Sequence, residues 1–519
     1  MTHGMAIKEI PSSVRRQRAF SKNCVIMSVI GMTVSSFVLF VVFWCTSIYQ
    51  NTILSTLTVT TDSAMYELFR RPPIRAVYRI RIFNYTNVED FESGKSKKLR
   101  VEEAGPYIYR ETVTRVNQVF HPNGSLSFQE ERSFEWEGGS PDTETIIVPN
   151  VPLFATMAFL RDLNFVAQLA ITGVLSTFQT KTFIPLTAGG FLWGYDDRIF
   201  DLAKKFSWQE NLPFDKFGLL AYKTNVSKDV ITIHTGANDL RKLAMIERIN
   251  GATSRHAWND KKCDAIHGTE GFMFPAGTFD TLYNASVDVY SIDMCRTISL
   301  YSQGSGSSFG MPTRTFKPSP HVFTATVDKD YCYCPETIPG VKASRKCPPA
   351  GIFNGSACNF NMPLLGSFPH YFAGDKSLLK NIEGLNPQAE LHESVLELHP
   401  RLGVLVGGQT RIQMNVEARR AIGVPYLGNL DDGQILPLIW IEVAVDDIPE
   451  PLLGMLKHAV FTANFIEGAC QWGSVFGMVF SLCFLAYLLQ TEHKKRLATL
   501  KRNSSGQNQL LEHSDNGNV

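Results

Sequence analysis

The 519-residue chain carries 50 lysines and arginines against 49 aspartates and glutamates, and it is 44% hydrophobic and 19% charged. That balance excludes a dedicated nucleic-acid binder, which needs a clear basic excess to hold phosphates. The apolar content, with 35 phenylalanines, excludes disorder over most of the length.

The elements follow in chain order. Residues 1–22 hold Lys8, Arg15, Arg16, Arg18 and Lys22 against Glu9 alone. No charge then appears before Asp62, and Cys24 to Ile48 is an almost unbroken apolar run. A helix of ~20 apolar residues crosses a bilayer. A cleaved signal peptide would end its apolar region after ~7–15 residues at small side chains. Here Val41-Val42-Phe43-Trp44 carries straight on, so 23–48 reads as an uncleaved transmembrane anchor. Further along, 76–83 (AVYRIRIF), 127–137 (SFQEERSFEWE) and 230–236 (VITIHTG) alternate apolar and polar residues. That period marks half-buried antiparallel strands. Between Pro152 and Phe178 the spacing turns helical, with Arg161 and Asp162 at mid-length. A charged pair there argues against a third membrane span and for two helices with wide apolar faces. Those faces serve either core packing or an exposed docking surface.

Six cysteines, Cys263, Cys295, Cys332, Cys334, Cys347 and Cys358, cluster in this central region. An even cluster in an oxidising compartment reads as three disulfides, with 15 connectivities open to the sequence. Zinc is disfavoured because Cys332-x-Cys334 lacks the two-residue spacing of a shared tetrahedral ion. Asn84, Asn123, Asn225, Asn284 and Asn354 head N-x-[ST] triplets, which makes the region a candidate glycoprotein. Two catalytic patterns fail on inspection. Gly306-Ser307-Ser308-Phe309-Gly310 matches G-x-S-x-G, but Met311-Pro312 and strand-like residues follow where a helix is required, so a hairpin turn is expected. His392-Glu393 opens an H-E-x-x-H whose second histidine is Leu396. No glycine loop for a nucleotide is present; neither an enzyme, a cofactor nor a metal site is indicated.

The second charge-free run is Gly468–Leu489, followed by Lys494, Lys495, Arg496, Lys501 and Arg502. Positive flanks mark cytoplasmic ends. The expected organisation is therefore a cytosolic tail (1–22), a first span (23–48), a large lumenal or extracellular region (49–467), a second span (468–489) and a cytosolic tail (490–519). Both termini lie in the cytosol of a cell-membrane protein, with an endosomal or lysosomal membrane as the alternative. Without the two basic flanks, positions 23–491 hold 40 basic and 45 acidic residues, a net charge of −5. Ala469, Gly473, Gly477 and Ser481 recur at every fourth position, with Gly31 and Ser35 in the first span. Such spacing lets helices approach closely in lipid, against each other or in a homodimer.

Several local motifs resemble the class B scavenger receptor family, over nearly the whole chain. They are Ala104-Gly105-Pro106-Tyr107 with Tyr109-Arg110, Leu192-Trp193-Gly194-Tyr195 with Asp197, and Cys263-Asp264 with Gly268-Thr269. Cys295-Arg296, Tyr331-Cys332-Tyr333-Cys334, Pro369-His370 and Gly384-Leu385-Asn386-Pro387 follow in the family's order. The resemblance implies an α+β fold: a large β-rich antiparallel ectodomain, apical helices over about 152–183, and an internal lipid tunnel. It also implies the pairs Cys263–Cys332, Cys295–Cys358 and Cys334–Cys347. A dry conduit is physically sensible, since each exposed CH₂ of a lipid costs ~0.8 kcal/mol in water. The implied function is capture of fatty acids, sterols, phospholipids or lipoprotein particles and their delivery to the membrane. Phe159, Arg161, Phe165 and Lys181 are the apical ligand-binding candidates. The alternative is a receptor for a lumenal protein, such as a hydrolase escort, using the same helices. Between Leu163 and Ile184 the only cation is Lys181, and no histidine lies between His121 and His234. A lysine-based lipoprotein site and an apical pH-sensing histidine are therefore not expected.

Overall fold

A computed structural model describes residues 12–206, 215–276, 285–336, 341, 344–359, 361–421 and 423–515, the backbone alone at 12–22, 206 and 503–515. The chain divides into two compact units, one formed by 1–53 with 454–519 and the other by 54–453. Four helices matter below: α1 (Ser12–Phe40), α2 (Val151–Arg161), α3 (Phe165–Thr177) and α4 (Glu450–Asp515). The strands used are β1 (Val77–Tyr85), β2 (Leu99–Phe120), β3 (Ser125–Gly139), β4 (Thr145–Pro149), β5 (Phe183–Thr187), β6 (Ile231–His234) and β7 (Ile246–Ile249). They continue with β8 (Ser286–Ser291), β9 (Arg296–Ser308), β10 (Met311–Pro318), β11 (Val395–Leu398), β12 (Leu405–Ala418) and β13 (Gln434–Ala444).

In the terminal unit the two apolar helices lie against each other. Gly477 packs so closely on α1 that a Cβ there would stand 2.6 Å from Ser36 Oγ. Thr33 Oγ1 donates to Ser481 Oγ at 3.0 Å, and Ser36, Ser474 and Ser481 are buried. Gly477 and Ser481 thus pack within one chain, while Gly31 and Gly473 have no neighbour within 4 Å. At one end a π turn, Val41–Cys45, loosens the helical ladder of the first span. Gln471 Nε2 donates to Phe43 O at 3.1 Å there, and Trp44 Nε1 donates to Gln471 O at 3.1 Å. These bonds satisfy backbone groups that hydrocarbon cannot. Trp44 and Trp472 stack edge to face at 5.7 Å, as aromatic residues do at a membrane boundary.

The central unit is built on a fifteen-stranded sheet whose main path runs β7-β6-β3-β2-β1-β13-β12-β11-β10-β9-β8, antiparallel at each step. Its two edges nearly meet. Gly268-Thr269 lies between them: Ile246 N donates to Gly268 O at 2.9 Å, while Thr269 N donates to Asp288 O at 3.0 Å and Tyr290 N to Thr269 O at 2.9 Å. The motif glycine is required at this seam. Gly268 has φ +109°, and a Cβ would stand 2.6 Å from Asp288 O. Near-closure leaves few open strand edges to recruit other chains.

The alternating segments form strands as expected; Glu131, Ser133, Glu135 and Glu137 on β3 are exposed, but the polar side of β1 is largely covered. Arg79, Arg81 and their neighbours on β1 are covered. Arg79 pairs with Glu442 at 2.9 Å, Arg411 pairs with the same carboxylate at 2.7 Å, and Arg81 lies 4.4 Å over the Trp440 ring. The opposite face of β1, with Ile80 and Ile82, belongs to a core completed by Tyr107 on β2, Ile439 on β13 and Phe154 and Met157 on α2. The G-x-S-x-G match is a hairpin. Ser308 ends β9, and Phe309-Gly310, both at positive φ, turn into β10. The six clustered cysteines join as Cys263–Cys332, Cys295–Cys358 and Cys334–Cys347, with Cα separations of 6.4, 5.9 and 4.4 Å.

Candidate ligand-binding site

The segment from Pro152 to Phe178 forms two helices carried on the two-stranded sheet β4–β5. Asn150 caps α2 by accepting from Leu153 N at 3.2 Å, with Pro152 in the first turn, where its missing N–H costs nothing. Asn164 caps α3 through Ala167 N at 3.0 Å. Between them Gln168 Nε2 donates to Leu160 O and Leu163 O, both at 2.9 Å, closing the orphan carbonyls at the end of α2. Tyr426 holds the other side, its OH donating to Thr172 O at 3.3 Å.

The two helices divide the alternatives that the sequence leaves open. Val151, Leu153, Phe154, Met157 and Leu160 place α2 in the core. By contrast, α3 buries Leu175 and leaves Phe165 and Val166 each 75% exposed and Leu169 62% exposed. Phe159, near the end of α2, is 60% exposed. Four large apolar side chains therefore face outward from a charge-free helix and its neighbour, where water solvates them poorly. Of the two cationic candidates, Arg161 is already paired with Asp432 at 3.2 Å, while Lys181 is exposed. The arrangement suits an apolar ligand better than an anionic one.

The glycosylation candidates differ in exposure. Asn123 and Asn225 are exposed, and Asn84 is half-buried with Oδ1 accepting from Ile147 N at 2.9 Å. Asn354 is buried at 6% exposure, with Oδ1 accepting from Ser356 N and Oγ at 2.9 and 2.5 Å. That burial leaves a glycan little room, and it sets Asn354 apart from the other three. Asn284 lies outside the described residues.

The remaining family motifs converge elsewhere. His370 Nε2 bonds Glu103 at 2.7 Å, beside Ala104-Gly105-Pro106-Tyr107. His370 Nδ1 accepts from Asn386 N at 3.0 Å, which leaves Nε2 as the nitrogen that donates to Glu103. His392 stacks on His370 at 4.5 Å, and its Nδ1 accepts from Gln388 N at 3.0 Å. Burial and the neighbouring His370 lower the His392 pKa to about 4. Burial pushes the Glu103 carboxyl up, but its bonds from His370 and Trp440 outweigh that and leave it low. These motifs knit three distant segments together and present no nucleophile.

Sequence patterning missed a line of buried charge. Arg115 on β2 bonds Glu270 at 3.1 Å and lies 3.6 Å from Glu130. Arg132 bonds Glu111 at 3.0 Å and also pairs with Glu130. Burial pushes Glu270 up to about 7, and Glu130 adds to the push while Arg115 opposes it. Glu130 itself stays low, since Arg132 and Arg115 outweigh its burial. Glu130 and Arg132 share a face of β3 with Phe128 and Phe134, so alternation puts them on the covered side but does not name the partners that pair them there.

Two cavities, of about 140 and 160 Å³, lie at Gly268-Thr269-Asp288 and at Asn123-Gly124-Asn238. Both fall below the ~300 Å³ at which ligand pockets begin.

Residues 27–489 match the profile of the CD36 family. Scavenger receptor class B member 1 of Bos taurus is 27% identical over 454 residues, covering 86% of each chain. Lysosome membrane protein 2 of Homo sapiens is 27% identical over 426 residues, covering 80% of this chain and 85% of that one.

Proposed function

The chain belongs to the CD36 family, and from that premise we propose that it is a lipid-handling membrane receptor. It takes up lipid, or a particle that carries lipid, at the exposed face of α2 and α3 and passes it to the bilayer through the interior of the barrel-like sheet. The observation that carries this reading is the outward-facing cluster of Phe159, Phe165, Val166 and Leu169. An exposed aromatic or aliphatic side chain gains roughly 1.5–3 kcal/mol on burial against a lipid chain. Four such residues can therefore hold an acyl chain or sterol face without any charge. Support also comes from the similarity to scavenger receptor class B member 1, with which the chain aligns over 86% of its length.

Transfer involves no covalent chemistry in this reading. The protein lowers the barrier by keeping the chain out of water while it moves between carrier and membrane. The test is Phe165→Asp with Leu169→Asp in the full chain. Both positions are exposed, so folding and membrane delivery are retained, and uptake of a labelled lipid falls about tenfold or more. Unchanged uptake at equal surface amounts rejects the site.

A second reading is favoured by one observation, the similarity to lysosome membrane protein 2. The same apolar face would then bind a lumenal protein, and the membrane would be that of an endosome or lysosome. The same double variant discriminates here too: loss of one protein partner in pull-downs, with lipid uptake intact, selects the protein-partner reading.

A further inference from the structure

The two cytosolic flanks are brought to one level by the pairing of α1 and α4. Contacts between them pair Thr33 with Ser481, Ser36 with Gly477 and Trp44 with Gln471. The helices therefore run antiparallel, nearly residue for residue. At ~1.5 Å per residue, Lys22 lies ~33 Å from Trp44 along α1, and Glu492 lies ~30 Å from Trp472 along α4. Both distances match the ~30 Å hydrocarbon thickness of a bilayer. With the aromatic pair at one boundary, Lys22 and Glu492 mark the other.

Beyond that second boundary the register sets Arg18 level with Arg496 and Arg15 level with Thr499. Lys22, Arg18, Lys494, Lys495 and Arg496 fall within ~6 Å of the hydrocarbon edge, inside the headgroup layer. Arg15, Arg16, Lys501 and Arg502 fall at roughly 9–15 Å, about a Debye length away or more. Between residues 12 and 22 there is no acid, and between 490 and 502 there is only Glu492, which pairs with Lys495 at 3.7 Å. Lys494, Lys495 and Arg496 are exposed. Neither flank alone concentrates charge this way; pairing the helices does.

We infer that these paired flanks form one cation collar that binds polyphosphorylated inositol headgroups in the adjoining leaflet. The occupant follows from charge and depth. Several cations of one sign sit within the headgroup layer, and a multivalent phosphate headgroup neutralises more of them per lipid than a singly charged one. The inference rests on the two-helix packing and is independent of lipid transfer through the central unit.

The test uses the purified full chain equilibrated with phosphatidylcholine vesicles that carry a few mole per cent of phosphatidylinositol bisphosphate. A parallel sample carries phosphatidylserine at matched total charge. Lipids that stay with the re-isolated protein are quantified by mass spectrometry. The bisphosphate should be enriched over bulk about tenfold or more, phosphatidylserine less so, and raised salt should strip the enrichment. Substituting Arg18, Lys22, Lys494, Lys495 and Arg496 with Gln should return the retained lipid to bulk composition. The same change at Arg15, Arg16, Lys501 and Arg502 should keep most of the enrichment. Bulk composition around the wild type, enrichment indifferent to salt, or equal losses in the two variants would each overturn the inference. Because detergent-purified protein meets lipid from both sides, the result does not depend on its direction of insertion in cells. Should the inner variant fail to fold, the salt titration on the wild type decides alone.

Discussion

Replacing Glu270 by glutamine isolates one proton-linked contribution to the stability of the central unit. Glu270 follows the Gly268-Thr269 seam directly and reaches inward to Arg115 at 3.1 Å. Burial pushes its carboxyl up to about 7 from an ordinary 4.5. A carboxyl raised by folding holds its proton more tightly in the native state than in the unfolded one. Its contribution is therefore full below about 4.5 and is lost as pH rises through about 7. Each pH unit in that interval is worth about 1.4 kcal/mol. Acidification from about pH 7.5 to about pH 5 should thus stabilise the wild type by about 2 kcal/mol relative to Glu270→Gln, which cannot titrate. In a unit of this size that is a shift of a few degrees in the unfolding midpoint. The assay is thermal unfolding of both proteins in lipid nanodiscs across this range, read as the difference between them. Titrating groups remote from Glu270, His392 among them, cancel in that difference. Parallel pH profiles for wild type and variant would refute the reasoning, as would a difference that grows with rising pH.

Three further outcomes are expected. Gly268→Ala places a Cβ against Asp288 O at a positive φ and should cost about 2 kcal/mol or more of stability, seen as a lower unfolding midpoint. Gly477→Leu should disrupt the terminal helix pair by about 1 kcal/mol or more, whereas Gly473→Leu, with no neighbour within 4 Å, should be nearly silent; melting both variants in nanodiscs makes the comparison. Glycopeptide mass spectrometry should find glycans on Asn123 and Asn225 and none on buried Asn354, and an occupied Asn354 would contradict the packing around it.

What the sequence reveals depends on the range of the interaction concerned. The spans are legible because hydrocarbon tolerates neither charge nor unbonded backbone, and that constraint is written in a local run such as Cys24–Ile48. The strands at 76–83 and 127–137 are legible because pleating fixes a period of two. Coverage of both faces of β1 is not. Arg79 and Arg81 are bound by Glu442 and Trp440, which lie some 360 residues away in the chain, and no local pattern announces them. Arg115 and Glu130 face each other across the β2–β3 hairpin, but Glu270 joins them only where the sheet nears closure. The helical pair shows a third case. Its spacing marks two helices, but α2 and α3 have similar apolar content, and only the position of the β4–β5 stalk decides that one is core and the other exposed. The small-residue stripe is legible as an interface, but only the contact of Ser36 with Gly477 names α1 as what that glycine meets.

The most direct test of the central claim is lipid transfer in a purified system. Full-length protein is reconstituted into acceptor vesicles, and a fluorescent fatty acid or sterol is supplied from donor particles. Initial transfer should run well above protein-free vesicles and should fall about tenfold when Phe165 and Leu169 are both aspartate. Equal rates with and without the protein would contradict a lipid-conducting function.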